Sequence, residues 1–92
     1  MADDPIWAAI KEWNRAKRVH GRTFKREDAW NDTTRATCDA YHAAARKMAR
    51  TTPTTPAGAL ALLHHTIYDM ERGENDWQIM GLRSVRKYLR GN

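Results

Sequence analysis

The sequence predicts an all-α fold, a small bundle of three to four antiparallel helices. Glycine and proline are few, five and three in 92 residues, and they cluster at apparent boundaries. That favours long helices over many short strands. Apolar side chains recur at spacings of three and four over four segments. Residues suited to helix starts or stops flank these segments.

The first predicted helix runs from about Pro5 to Val19. Asp4 suits an N-cap, and Pro5 suits the first helical position, where a missing N–H is no loss. Asp3 and Asp4 also complement the helix dipole. Ile6, Ala9, Ile10, Trp13 and Ala16 form one apolar face. Gly21 reads as the left-handed residue that ends it.

The second helix is expected from about Lys25 to Arg50. Trp30, Thr34, Thr37, Cys38, Tyr41, Ala45 and Met48 make a continuous stripe. Asn31-Asp32-Thr33-Thr34 are poor helix formers that can kink or restart the helix.

Thr51 to Pro56 reads as a loop, because each proline drives the residue before it out of the helical region. Thr55 then caps a third helix from Pro56 to about Arg72. Leu60, Leu63, Ile67 and Met70 supply its stripe, and Gly73 its stop. A fourth helix begins near Asn75 or Asp76, with Asp76 as N-cap, and runs to about Arg90 before Gly91. Gly81 is expected to split off a first turn holding Trp77 and Met80. Beyond it, Leu82, Val85 and Leu89 line one face.

At 92 residues the chain makes one domain, spanning 1–92, with a core that must be used fully or extended by a second subunit. One cysteine, Cys38, allows no internal disulfide. No basic n-region with an apolar run opens the sequence, and no apolar run approaches the roughly 20 residues of a membrane span. The expectation is a cytoplasmic protein with no membrane partner.

The net charge of +5 is unevenly spread. Residues 11–26 hold seven basic side chains and one acid. Residues 83–92 hold Arg83, Arg86, Lys87 and Arg90 and no acid, whereas Asp69, Glu71, Glu74 and Asp76 gather between 69 and 76 against Arg72. The ridge Arg83, Arg86, Lys87 and Arg90 is the first candidate binding surface, since its spacing puts all four on one helix face. A second is the face shared by Trp7, Lys11, Arg15 and Arg18, where an aromatic stands among cations. Solvated helix faces carry the same pattern in many proteins.

The segment Pro53-Thr54-Thr55-x-Ala57-Gly58-x-x-Ala61-Leu62-Leu63, with Asp4-Pro5-Ile6-Trp7 near the N-terminus, resembles a family of small uncharacterised alphaproteobacterial proteins. The likeness covers about a dozen positions. His65 stands where that family often has tyrosine, and the middle here is shorter. The family has no assigned activity, so the resemblance implies no functional residue. It points to an accessory-genome protein of a phage or mobile element. Physically, Thr54 and Thr55 can cap orphan amides, and Gly58 permits close approach of another backbone. Such a helix start can also hold a phosphate.

Other constellations favour ordinary roles. His64 and His65 point about 100° apart and cannot chelate one ion. His65 and Asp69 can share an ion, but a third ligand is missing and no metal-binding motif occurs. Cys38 and His42, four apart, match a thiol–imidazole pair. Cysteine on an apolar stripe is more often a small core residue. No phosphate loop or nucleophile elbow is present. The expectation is a non-enzyme without cofactor or metal: a helical regulator or inhibitor that binds another macromolecule, first of all a protein. DNA or RNA contacted through phosphates is the alternative. Self-association through a surplus of the helix-2 stripe, as a homodimer, is the third.

Overall fold

A computed structural model describes residues 3–26 and 31–91. It is an all-α bundle of four helices: α1 Pro5–Arg26, α2 Asp32–Arg50, α3 Pro56–Met70 and α4 Trp77–Leu89. α1 packs along α2, α2 on α4 and α4 on α3, while α3 meets α1 only lightly. α1 and α4 are therefore diagonal rather than adjacent. The shortest dimension between Cα atoms is 16 Å, about two helix layers.

α1 starts as its sequence predicts. The Asp4 carbonyl accepts from Trp7 N, and Asp4 Oδ1 accepts from Ile6 N at 3.0 Å. It does not stop at Gly21, which is helical and lacks a positive φ. Its last turns are held to α2 by His20 Nδ1 and Thr37 Oγ1, 2.9 Å apart. This anchorage, which the pattern of apolar residues does not reveal, overrides the glycine as a stop.

α2 consequently begins later than Lys25, which belongs to α1. Asn31 restarts the chain with a reciprocal cap. Its Oδ1 accepts from Thr34 N at 3.0 Å, and Thr34 Oγ1 accepts from Asn31 N at 2.8 Å. These poor helix formers are thus good helix starters. Trp30, placed first in the expected stripe, lies outside the described residues. Along the rest of that stripe Thr34, Ala45 and Met48 are buried, and Thr37, Cys38 and Tyr41 are half-buried.

The core gathers around Trp13, whose ring meets Tyr41, Trp77 and, edge-on at 5.2 Å, His65. Ile6, Ile10, Met48, Leu62 and Val85 pack with it. Trp13 Nε1 is buried without a hydrogen-bond partner among the described residues.

α3 starts with Thr55 as N-cap and Pro56 in its first turn, as expected, but buries the flank of the expected stripe, where Ala59, Leu62 and Thr66 lie, rather than the stripe itself. Gly58, Ala59, Leu62, Thr66 and Asp69 face inward. Leu60, Ile67 and Met70 are 67%, 46% and 48% exposed. Two features permit this. Small residues let α3 and α4 approach closely: a Cβ on Gly81 would lie 2.7 Å from Thr66 Oγ1. The buried polar groups are also satisfied. Thr66 Oγ1 donates to Leu62 O at 2.8 Å, and Asp69 Oδ2 accepts from Asn75 and Gln78 at 2.8 and 2.6 Å.

α4 is likewise rotated from expectation. Trp77, Gln78, Gly81, Ser84 and Val85 are buried, whereas Leu82 is half-buried and Leu89 is 74% exposed. The helix runs unbroken through Gly81, because that glycine is the seat for Thr66. Ser84 Oγ donates to Ala49 O and ties α4 to α2. Asp76 gives no side-chain cap. Its carboxylate accepts instead from the Arg46 guanidinium at 3.0 Å. Gly73 and Gly91 both have positive φ and follow the ends of α3 and α4.

Candidate binding surfaces

The first surface is α1's outer side. At roughly 100° per residue, Trp7, Lys11, Arg15 and Arg18 fall within an arc of about 80°, centred about 150° from the core-facing residues. All four are exposed. Arg22 joins the row only because α1 continues past Gly21, so reading a stop there hid it. From Trp7 to Arg22 the row spans about 22 Å, by the rise of an α-helix. No acid lies in it. The nearby Glu12 is turned to Lys47, 3.0 Å away. Lys11, Arg15, Arg18 and Arg22 form no ion pair among the described residues.

Beside this row runs a shallow groove of about 350 Å³ between α1 and α2. Arg15 stands at its edge, and Ala16, Val19, Ala36 and Ala40 line it. Lys17, by contrast, belongs to the interior edge. Its Nζ lies 5.0 Å from the Trp13 ring and 4.5 Å from the Tyr68 ring.

The ridge Arg83, Arg86, Lys87 and Arg90 is exposed on the outer side of α4, as its spacing predicts. None of the four forms an ion pair among the described residues. It does not merge with the α1 row, because each lies on the side of its helix away from the core and the two helices are diagonal. Sequence spacing places each row correctly on its own helix and is silent on their relation.

The Pro-Thr-Thr segment is a structural lock rather than an open anion seat. Asp4 Oδ2 accepts from Thr54 N, Thr55 N and Thr55 Oγ1 at 3.0, 3.0 and 2.7 Å. Thr55 Oγ1 in turn accepts from Gly58 N at 3.0 Å. The place of a phosphate is taken by the chain's own carboxylate. Burial pushes the Asp4 carboxyl up, but the bonds from Thr55, Ile6 and Thr54 outweigh it and hold it below the ordinary range. The Asp4-Pro5 start of α1 and the Thr54-Thr55 segment before α3 are thus two halves of one contact.

His65 and Asp69 have separate tasks, ring packing on Trp13 and acceptance from Asn75 and Gln78. Burial, then the charges of His64 and Lys17, lower the His65 imidazole below its usual range. No group of three or more metal-binding side chains occurs among the described residues. Cys38 is half-buried rather than a core residue. Its Sγ lies 3.8 Å from His42 Nε2 on an open helix face. Tyr41, pushed up by burial and then by the Asp69 charge, has its ring on the His20 ring at 6.1 Å.

No helix among the described residues is long and apolar enough to cross a membrane. No family model matches the chain, and comparisons with curated proteins and with solved structures give no significant match.

Proposed function

We propose that the protein is a non-enzymatic helical regulator or inhibitor that binds another protein, and that the outer face of α1 is its contact surface. The observation that carries this reading is the acid-free row Lys11, Arg15, Arg18 and Arg22, with Trp7 45% exposed at its start and an apolar groove along its side. Tryptophan and arginine are the residue types that dominate protein interfaces. A rigid helix holds them without the ordering cost of a loop. The groove supplies apolar area that a phosphate backbone cannot use. The partner surface is therefore acidic with an apolar knob.

Affinity capture from the native host at moderate salt tests this reading. Wild type is expected to retain one stoichiometric partner. Trp7→Ala and the pair Arg15→Glu with Arg18→Glu should lose it while keeping the thermal midpoint, since all three side chains are exposed. Equal capture by these variants would overturn the assignment.

The regular repeat of cations along α1 favours a second reading, nucleic acid held through phosphates. Successive turns set positive charges about 5–6 Å apart along the helix. Binding of this kind loses affinity steeply with salt and is strongest near 50 mM. A titration of duplex DNA and of RNA at that salt should show binding, weakened alike for all sequences by Arg15→Glu. No binding at about 50 mM would remove it.

A further inference from the structure

Between Pro56 and Tyr68 α3 carries no charged residue, yet it lies at the surface. A helix without charge and with large apolar side chains on its outer side is ordinarily covered there; exposed His64 is the polar residue within that side. Its outer stripe, Leu60, Leu63, Ile67 and Met70, steps by three, four and three, the spacing of a helix–helix seam. α4 extends this face: Pro56, Leu60, Leu63, Val85, Tyr88 and Leu89 line a groove of about 410 Å³.

The charges around the stripe identify what covers it. α3 and α4 are antiparallel, with Gly81 beside Thr66 and Gln78 beside Asp69. Arg86 and Arg90 therefore stand level with the Leu60 end. Exposed Glu71 and Glu74 stand beyond Met70 at the other end, where the Arg72 guanidinium is engaged over the Tyr68 ring at 3.4 Å. One end of the apolar face is basic and the other acidic.

We propose that a second copy of this chain covers the α3 face, antiparallel, about a two-fold axis near His65. In that register Leu60 meets Met70 of the second copy, and Leu63 meets its Ile67. The same register sets Arg86 and Arg90 opposite Glu71 and Glu74 of the second copy, twice per dimer. A two-fold interface must be self-complementary, and this face is so in both apolar spacing and charge. This exposed apolar stripe belongs to α3, whereas Thr34, Ala45 and Met48 of the α2 stripe are buried. The footprint is two helices wide and about 22 Å long, roughly 400 Å² in plane. That is about half the roughly 800 Å² per partner of a standard interface, so a weak dimer is expected, with a dissociation constant on the order of 100 μM.

Sedimentation velocity of the full chain between about 5 μM and 1 mM tests the proposal on both sides of that constant. Wild type is expected to pass from monomer to dimer, and Ile67→Glu to stay monomeric with an unchanged helical circular dichroism spectrum. The double reversal Arg86→Glu with Arg90→Glu, and separately Glu71→Arg with Glu74→Arg, should each weaken the dimer about tenfold or more by placing like charges together. Mixing these two variants should restore dimerisation, because one then carries acids at both ends of the face and the other bases at both; the antiparallel register itself is read from the wild type, whose unlike ends meet only in that pairing. Monomer at 1 mM, dimerisation by Ile67→Glu, or a mixture no tighter than its components overturns it. The Trp7 and Arg15 variants leave this equilibrium unchanged, so the assignment of the α1 surface stands or falls separately.

Discussion

Asp4 accepts hydrogen bonds at the starts of two helices that lie fifty residues apart in sequence. It is buried, and its charge is balanced by backbone amides and one hydroxyl rather than by a cation. Asp4→Asn replaces one acceptor oxygen by a donor, which leaves amides of Thr54 and Thr55, or of Ile6, unpaired. A loss of about 2–4 kcal/mol in urea unfolding is expected. The folded carboxyl sits below its unfolded value near 3.9, so its contribution is full above about pH 4 and is lost as the pH falls through the depressed value. Wild type should therefore lose stability from about pH 4 downward in a component that Asp4→Asn lacks; parallel profiles between about pH 2 and 5 would show that Asp4 is not the linked group. Gly58 completes the contact. A Cβ there would lie 2.0 Å from Asp4 Oδ2, so Gly58→Ala should destabilise despite its better helix propensity. An unchanged or raised unfolding midpoint would contradict this close approach. The capping role of each partner was legible in its own segment. Their union was not, because a carboxylate that caps locally gives no sign of a second set of donors fifty residues on.

For the helices, the sequence is a good guide to where they start and a poorer one to which way they face. Asn31, Thr55 and Asp4 act as starts, and Gly73 and Gly91 follow ends, because caps are local interactions among residues two to four apart. Gly21 shows the limit. Its helical φ, with nothing within 4 Å of an added Cβ, leads to a specific expectation: Gly21→Ala should stabilise the protein by about 0.5–1 kcal/mol. A left-handed terminus at that position would make the same change destabilising, so thermal melts of this one variant decide between them. In α3 and α4 the facing differs from the leucine pattern because the buried sides use glycine, serine, threonine and alanine. Small residues bring helix axes closer, and their hydroxyls return bonds to the backbone. A hydrophobicity pattern weights Leu60 and Leu89 above Thr66 and Ser84 and so rotates the helices outward.

Across the whole molecule, the order α1, α2, α4, α3 packs α3 on α4 and more lightly on α1, and leaves its outer side uncovered. A slab about two helices thick cannot hide every apolar side chain, and that geometry exposes the α3 stripe. If a second copy covers it, the thermal midpoint of wild type rises with protein concentration, and that of Ile67→Glu does not. A concentration-independent wild-type midpoint from about 5 μM to 1 mM would speak against association. The basic rows of α1 and α4 stay outside the proposed seam's apolar centre. In the proposed dimer the α1 row would remain free to meet the proposed partner, while Arg86 and Arg90 would serve the rim.

What the sequence by itself determined is the helical class, most helix ends and the membership of each charged row. These follow from interactions within about four residues, which residue type and spacing encode directly. Only the tertiary structure decided which side of α3 and α4 is inside, that Asp4 locks onto Thr54 and Thr55, and that the two basic rows lie on diagonal helices. It also placed Asp76 on Arg46 and left Leu60, Ile67 and Met70 uncovered. Those outcomes depend on which helices become neighbours and how closely they approach. Close approach is set by small residues and satisfied hydroxyls, whose partners lie on other helices and leave no periodic trace in their own segment.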